Sequence, residues 1–373
     1  MKAPRSHQDM KTIFYHGNKK TIKRLLVMRL SAMGDVAMVV PVLHALATQN
    51  PELRITMLTR TRFAAMFEWM PANVQVRGID FDKHDGFIGL TKIYKSLKSG
   101  NFDAVADLHD VLRTKFLRIC FKADGTRVAV VDKCRKDRKA LIGNGLTHEP
   151  LRIMPERYAD VFRSLGMEVD LSQRMKIDLR GENFTPIRNV VGQKQQGEKW
   201  IGIAPFAAHP QKIYPLEKMQ RTAQLLAERG CRIFLFGAGK TEQETLSSWE
   251  NNAMAKQPHP NARKPITSIC GKLGNLHNEM LLMSQLDLMI SMDSANMHIA
   301  SIMSTPVLSI WGATHPKAGF YGYGQPTDNA MQLDMECRPC SIYGNKPCEY
   351  GDLRCMNFTP ESIADKAMEI VEA

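Results

Sequence analysis

The first half of the chain alternates apolar-rich runs with amphipathic segments. Residues 22–30 (IKRLLVMRL) predict a buried strand, and residues 36–49 (VAMVVPVLHALATQ) predict the helix that follows it. Strands are also predicted at residues 54–59, 74–79, 104–108 and 127–131, and helices at residues 62–69, 90–97 and 111–121. Strands that alternate with helices indicate a parallel sheet covered by helices on both faces.

The alternation restarts after a polar, glycine-containing stretch at residues 181–199. Strands are predicted at 200–205, 232–236, 266–270, 288–292 and 306–311, and helices at 216–229, 241–255, 275–285 and 295–303. We therefore expect an α/β fold of two Rossmann-like domains, residues 1–185 and 186–373, whose parallel sheets face a central cleft. A final predicted helix, residues 360–371, closes the chain, and packing back on the N-terminal domain is one arrangement open to it.

The net charge of +12 lies entirely in the first half of the chain. Residues 1–185 contain 32 Lys and Arg against 20 Asp and Glu, whereas residues 186–373 contain 18 of each. This asymmetry favours a polyanionic partner for the N-terminal half. The densest basic cluster has no interleaved aromatic residues for base stacking, which argues against nucleic acid; it consists of Lys133, Arg135, Lys136, Arg138 and Lys139.

The chain is expected to be cytoplasmic. No apolar run approaches the roughly 18–20 residues that span a bilayer. The first twenty residues lack the apolar core of a signal peptide.

The turn after the first strand is a candidate site in the N-terminal half. Ser31, Met33, Gly34 and Asp35 lie where a strand ends and a helix begins, and free amides at a helix N-terminus bind anions. Asp35 is a common helix-capping residue, but at the mouth of a cleft it could also take a proton from an attacking hydroxyl. The GxGxxG spacing of dinucleotide-binding folds is missing, which argues against hydride transfer.

Two segments of the second half have the same character. The turn from Asp293 to His298 leads from a strand into a helix through small polar residues, and its amides could hold a diphosphate. Lys212, in a loop between a strand and a helix, could neutralise a departing phosphate, although a surface lysine is the ordinary alternative.

Four cysteines are clustered near the end of the chain, namely Cys337, Cys340, Cys348 and Cys355. Four thiolates at short spacing can hold a structural zinc ion, but only the first two have the usual Cys-x2-Cys spacing. A structural zinc site and reduced thiols both remain open.

The segments RLSAMGDVAMVVPVLHALATQNP and MDSANMHIASIMSTPVLSIWGATHP, followed by Tyr321-Gly322, resemble glycosyltransferase family 9, the ADP-heptose:lipopolysaccharide heptosyltransferases. The resemblance runs from about Lys23 to His315 and implies the two-domain GT-B fold. The N-terminal domain would then bind the acceptor, and the C-terminal domain would bind the donor. This division agrees with the charge asymmetry, which follows from the residue composition alone.

The resemblance also implies roles for individual residues. Asp35 matches the general base, and Lys212 matches a lysine near the donor phosphates. The residues matching the donor block are Asp293, Ser294, Ala295, Asn296, Met297 and His298, with Ala295 where the family commonly has Gly. A carboxylate for the ribose falls near Glu242, although Lys240 shifts its spacing by one. The turn residues Ser31, Met33 and Gly34 and the basic cluster would bind the acceptor.

The resemblance thus implies inverting transfer of a heptose or related sugar from an ADP-sugar to the lipopolysaccharide inner core or a related anionic glycolipid. Lys212 and the helix amides would stabilise the leaving ADP, so no cofactor or catalytic metal is expected. Contact of the basic face with the inner membrane is expected, and binding of nucleic acid is not. A nucleotide-binding oxidoreductase and a non-enzymatic polyanion-binding protein are the alternatives, and retained Asp35 and Lys212 argue against a member that has lost catalysis.

Overall fold

The computed structural model describes residues 21–81, 83, 86–255 and 263–373. In this part of the chain, five parallel strands form the sheet of the N-terminal domain, in the order β3-β2-β1-β4-β5. They are β1 (Arg24–Met28), β2 (Arg54–Arg60), β3 (Val74–Ile79), β4 (Ala104–Asp107) and β5 (Arg127–Val130). The helices of this domain are α1 (Met33–Ala37), α2 (Val39–Gln49), α3 (Gly86–Lys98), α4 (Leu112–Ala123), α5 (Arg135–Asn144) and α6 (Met154–Ser164), and α7 (Thr185–Val191) follows in the linker.

The C-terminal domain has a second parallel sheet, with the order β11-β10-β9-β6-β7-β8 among the described residues. Its strands are β6 (Trp200–Ala204), β7 (Arg232–Leu235), β8 (Ile266–Ser268), β9 (Leu288–Met292), β10 (Val307–Ile310) and β11 (Ala330–Met331). Its helices are α8 (Leu216–Glu228), α9 (Lys240–Met254), α10 (Leu276–Met283), α11 (Ala295–Ile302) and α12 (Pro360–Glu372). The predicted pair of parallel α/β sheets is therefore present.

Several predicted elements differ from those observed. The helix predicted at residues 36–49 is divided into α1 and α2 at Met38. Pro41 lies in the first turn of α2, and because it has no N–H it cannot continue the ladder of α1. Residues 61–67 form a 3-10 helix instead of the predicted α-helix. Helices α5, α6 and α7 had not been predicted.

The last helix packs on its own domain. Helix α12 lies against α8 and β9, where Ile363, Ala364 and Ala367 join the core formed with Met219 and Leu226. Its main contacts are therefore within the C-terminal domain, and Glu369 and Ile370 also border a cavity that Pro41 and Met175 of the N-terminal domain line. No helix in the described part of the chain is both long enough and apolar enough to cross a bilayer.

The two domains meet along buried apolar surface and through polar contacts, among them a polar junction around His277. Helix α1 contacts α11, and α10 contacts both α7 and the 3-10 helix at residues 61–67. At the polar junction, the ring of His277 stacks on Trp69 at a centroid distance of 5.1 Å and lies between the carboxylates of Glu68 and Glu182. These contacts bring the carboxyl edges of both sheets to the same cleft.

Candidate functional site

Asp35 lies in the first turn of α1, at the carboxyl edge of the N-terminal sheet. Its Oδ2 accepts a hydrogen bond from the backbone N–H of Ala32 at 3.1 Å, and lies 2.7 Å from Nη2 of Arg29. The side chain of Asp35 keeps 24% of its surface exposed. The carboxylate therefore caps the helix and still opens to the cleft, so the two roles considered for it are compatible.

Arg29 holds Asp35 in place and was not singled out from the sequence. Its Nη1 donates to the carbonyl of Leu108 at 2.6 Å, and its guanidinium lies 5.8 Å from the ring centroid of Tyr158. Because Arg29 is almost fully buried, its charge requires the nearby carboxylate of Asp35. The arginine thereby fixes which way Asp35 points.

His109 and Ser31 complete this side of the cleft. Nδ1 of His109 accepts from the N–H of Leu30 at 3.4 Å, and Nε2 lies 3.3 Å from Oγ of Ser31. Burial, together with the nearby charge of Arg29, lowers the pKa of His109 to about 3. The imidazole is therefore neutral at physiological pH and orients the turn through hydrogen bonds.

Across the cleft, Lys212 and Asp293 form an ion pair. Nζ of Lys212, in the 3-10 helix after β6, lies 2.9 Å from Oδ2 of Asp293 at the end of β9. The same Oδ2 accepts from Oγ1 of Thr314 at 2.7 Å. The stem of Lys212 runs over Gly344, where an added Cβ would come within 2.5 Å of it. Lys212 is therefore a packed, oriented cation and not a surface lysine.

Helix α11 presents its N-terminus to the same space. Ser294 is the N-cap residue, but its side chain makes no capping bond and instead lies 3.1 Å from Oγ of Ser291. Ser294, Ala295 and Asn296 are half-buried, whereas Met297 is fully buried and contributes only its backbone. The first amides of α11 are thus available to an anion.

His298 is buried under this turn. Burial lowers its pKa to about 4, so the ring is neutral at physiological pH. Within the described residues, its Nδ1 has no hydrogen-bond partner although the atom is buried. A buried ring nitrogen without a protein partner can be satisfied by an ordered water, an ion or a ligand group.

The two helix N-termini touch at Gly34. A Cβ added to Gly34 would lie 2.9 Å from Cδ2 of His298 and 3.5 Å from Cα of Ala295. The acceptor-side and donor-side turns predicted from the sequence are therefore adjacent in space. Only glycine permits this approach without displacing His298.

We expect Gly34→Ala to lower the free energy of unfolding by about 1–3 kcal/mol, because the methyl group would displace the buried His298. Gly143→Ala is the matched control, since an added Cβ in that helix meets no atom within 4 Å. Removing that glycine should stabilise α5 slightly. Urea denaturation of both variants measures the difference, and equal stabilities would contradict the close contact.

Glu242 lies beyond the carboxyl end of β7. Its Oε2 accepts from the N–H of Ala238 at 2.8 Å, and so it closes the turn into α9. A second carboxyl group, Glu279 in the first turn of α10, was missed from the sequence. Burial raises the pKa of Glu279 to about 7. Burial first, and then Glu242 and Glu279, raise the pKa of Cys270, which places all three near one another.

The predicted basic cluster is divided by the fold. Nζ of Lys133 donates to the backbone carbonyl of Asp110 at 2.8 Å. Nη2 of Arg135 lies 3.7 Å from Oδ2 of the same Asp110. Lys136 and Lys139 are exposed on α5. Asp110, at the carboxyl end of the N-terminal sheet, also pairs with Lys115 and Arg118, and so this edge collects cations beside the cleft.

Arg138 does not belong to that surface. It is buried, its Nη1 hydrogen bonds to the hydroxyl of Tyr343, and its guanidinium lies 5.2 Å from the ring centroid of Phe320. Arg138 therefore does not share an exposed basic face with its neighbours, and its contact with the acceptor stays a prediction. The sequence of α5 does not reveal that Arg138 is buried, because the aromatic partners of Arg138 come from the other domain.

The four clustered cysteines are free thiols. Among the described residues, no three His, Cys, Asp or Glu side chains are grouped closely enough to hold a metal ion. Burial first, and then the other three thiols of the cluster, raise the pKa of Cys340 to about 11, so the four lie in one neighbourhood. The structural zinc ion stays a prediction.

Comparisons with known proteins agree on one family. The sequence model of glycosyltransferase family 9 (heptosyltransferase) matches residues 90–350. The chain is 22% identical to the lipopolysaccharide core heptosyltransferase OpsX of Haemophilus influenzae, over 79% of this chain and 80% of that protein. It is 24% identical to lipopolysaccharide heptosyltransferase 3 of Escherichia coli, over 75% of this chain and 80% of that protein.

Solved structures show the same architecture. The ADP-heptose lipopolysaccharide heptosyltransferase II of E. coli superposes with a TM-score of 0.68 at 16% identity, covering 94% of this chain and 98% of that chain. The family 9 glycosyltransferase of Veillonella parvula superposes with a TM-score of 0.72 at 19% identity, covering 94% of this chain and 97% of that chain. E. coli heptosyltransferase WaaC with ADP-2-deoxy-2-fluoro heptose superposes with a TM-score of 0.62 at 18% identity, covering 94% of this chain and 100% of that chain. The predicted GT-B fold is confirmed.

Proposed function

Because the chain belongs to glycosyltransferase family 9, the heptosyltransferases, we propose that it transfers a heptose or related sugar from an ADP-sugar to the inner core of lipopolysaccharide or a related anionic glycolipid. The protein is a glycosyltransferase, and its relatives carry out heptosyl transfer to lipopolysaccharide. The oxidoreductase and the non-enzymatic alternatives are therefore wrong. The donor, the acceptor and the catalytic roles below are proposals.

The observation that carries the proposal is the juxtaposition of Asp35 with the donor-side turn. Asp35 lies next to that turn, since its sequence neighbour Gly34 packs directly on His298 and Ala295. A general base must lie within reach of the hydroxyl that it deprotonates. A sugar held by its diphosphate at the N-terminus of α11 would present its anomeric carbon to this junction. We assign Asp35 as base for an inverting, single displacement.

The donor proposal rests on the chemistry of the C-terminal half. The free amides of α11 and the cation of Lys212 suit a diphosphate. Glu242 and Glu279 offer carboxyl groups at the far end of the same sheet edge, where a ribose hydroxyl could donate. The relative WaaC was solved with an ADP-heptose analogue, which supports adenosine as the nucleoside.

We expect ADP to raise the melting temperature more than UDP, GDP or CDP at equal concentration, since a ligand that binds only the folded state stabilises it. Thermal-shift measurements across the four nucleotides provide the test. A preference for UDP would refute the ADP assignment and leave the fold untouched. A mass-spectrometric screen of ADP-sugars then identifies the sugar.

The acceptor proposal rests on the cations around Asp110. We expect Lys133→Ser with Arg135→Ser to raise the acceptor KM and to make it less sensitive to salt, because fewer ionic contacts remain to be screened. Lys218→Ser, on the C-terminal domain, is the control. Steady-state kinetics at two ionic strengths measure the effect, and unchanged acceptor kinetics would make this edge an ordinary solvated surface.

We further propose that the reaction needs no metal ion or cofactor, because Lys212 and a helix N-terminus can together stabilise the leaving diphosphate. An Asp-x-Asp sequence, typical of metal-dependent transferases, occurs at residues 80–82. Asp82 lies outside the described residues. Retained turnover in EDTA is the expected result, and recovery only on adding Mg²⁺ or Mn²⁺ would assign a metal to the reaction.

We also propose that the protein lies in the cytoplasm beside the inner membrane.

A further inference from the structure

The outer face of helices α3 and α4 exposes large apolar side chains. Leu112 is 85% exposed, Ile88 72%, Phe87 70% and Ile119 64%. They are neighbours across the two helices, because the ring of Phe87 contacts that of Phe116 at a centroid distance of 4.9 Å. Leu112, Phe116 and Ile119 follow one another at helical spacing, so they form one stripe along α4.

Most of this apolar stripe lies outside the core, and only Phe116, which is partly buried, packs against it. The opposite sides of the helices are the buried ones, with Ile93 and Leu97 of α3 and Leu117 and Phe121 of α4 packed on the sheet. The exposed residues therefore add nothing to the packing of the domain, and leaving them in water has a free-energy cost. Clusters of exposed apolar side chains in a folded protein mark contact surfaces.

The charge of the same two helices is entirely positive. Their 25 residues contain seven Lys and Arg and no Asp or Glu, and the seven are Lys92, Lys95, Lys98, Arg113, Lys115, Arg118 and Lys122. Some of these cations are paired with acids outside the helices, such as Lys98 with Asp124. Lys92 and Lys95 lie exposed on α3, one and two turns beyond Ile88.

We propose that this outer face of α3 and α4 is a membrane-contact surface that binds the headgroups of anionic lipids and inserts Phe87, Ile88, Leu112 and Ile119 at the interface. An apolar stripe flanked by Lys and Arg is the pattern by which amphipathic helices lie on anionic bilayers. Each cation near such a surface adds to the attraction, and the exposed apolar side chains leave water.

The charge argues against two other occupants. A second copy of the chain across a two-fold axis would place the exposed cations of this face, such as Lys92 and Lys95, against the same cations of the other copy. Nucleic acid would be bound through several aromatic rings that stack on bases, whereas Phe87 is the one aromatic ring among the four most exposed apolar side chains of this face. An anionic lipid surface satisfies both the charge and the apolar stripe.

The position of the surface also suits a membrane. Helix α4 begins two residues after Asp110, beside the cation cluster at the carboxyl edge of the N-terminal sheet. A protein resting on a bilayer through α3 and α4 therefore keeps the open edge of its cleft next to the lipid. An acceptor anchored in that bilayer would reach the cleft without leaving the membrane.

Vesicle co-sedimentation of the full chain tests the proposal without donor or acceptor, so that its outcome is independent of the transfer reaction. We expect binding to vesicles of phosphatidylcholine mixed with phosphatidylglycerol, and little binding to phosphatidylcholine alone. Leu112→Ser with Ile119→Ser should weaken binding about tenfold. Lys92→Ser with Lys95→Ser should weaken it by about tenfold or more and remove much of its salt dependence.

The controls are matched by exposure and charge. Tyr350→Ser removes an exposed apolar side chain from the C-terminal domain, and Lys176→Ser with Lys346→Ser removes two exposed cations elsewhere. These variants should bind vesicles like the wild type, and the Leu112/Ile119 variant should keep its melting temperature because its residues are exposed. Equal binding by all variants, or no preference of the wild type for anionic vesicles, would overturn the proposal. A dimer in analytical ultracentrifugation that dissociates on Leu112→Ser would overturn it in favour of a second copy.

Discussion

Replacing Asp35 by Asn should lower kcat by about 10²–10⁴, the usual range for a lost general base. The amide keeps an oxygen that can accept from the N–H of Ala32, but it cannot take up the proton of the acceptor hydroxyl. Donor affinity should change little, because the diphosphate would be held on the other domain by Lys212 and α11. Single-turnover kinetics with saturating donor, together with ADP binding by calorimetry, separate the two effects.

The ion pair with Arg29 makes a stability control necessary. Asp35→Asn leaves Arg29 buried without its counter-charge, and so some loss of melting temperature is expected. Asp103→Asn is a matched substitution at the amino edge of the same sheet, where the carboxylate accepts from the N–H groups of Lys23 and Arg24. It should cost stability and spare kcat. If Asp35→Asn lost stability but kept its turnover, Asp35 would be only a cap and an arginine partner.

Lys212→Ala should lower kcat by about 10²–10³, because charge developing on the leaving diphosphate would lose its nearest cation. The effect should be larger on kcat than on the donor KM, since the charge of the departing group grows as the glycosidic bond breaks. Initial rates over a range of donor concentrations give both constants.

Two further variants sharpen the interpretation. Lys212→Arg keeps the charge, but the stem of Lys212 runs tightly over Gly344, so the planar guanidinium cannot occupy the same place and should restore only part of the rate. Lys240→Ala removes a cation that is 90% exposed at the start of α9 and should leave kcat unchanged. Wild-type turnover in Lys212→Ala would show that the leaving group is stabilised elsewhere.

The sequence predicted the strands well because parallel strands buried on both faces are apolar runs bounded by polar turns. The strand predicted at residues 288–292 has the observed bounds, and most others differ by one or two residues. Helix α5 was missed because five of its ten residues are charged. Helix α6 does have the spacing of an amphipathic helix, with Met154, Tyr158 and Phe162 buried on one face, so its pattern was present in the sequence and was overlooked.

The site was predicted in pieces but not as an assembly. The strand-to-helix turns at Asp35 and Asp293 are visible in the sequence, because small polar residues follow an apolar run. Their contact through Gly34 and His298 joins residues far apart in the chain, and no local pattern records it. Arg29 reads as the polar end of a strand, and Arg138 reads as one member of a basic run. The role of each arginine depends on a partner from a distant segment, which is Tyr158 for Arg29 and Tyr343 for Arg138.

The contact between Gly34 and His298 also has a consequence for the order of events. The two domains meet at the place where, in our proposal, the new glycosidic bond forms. An opening that breaks the contact between Gly34 and His298 would separate Asp35 from the amides of α11, since the two lie on opposite domains. A donor held by the open enzyme would thus have no base beside its anomeric carbon, and water in the cleft could not be activated to attack it. The activated sugar would be protected from wasteful hydrolysis until the domains come together around the acceptor.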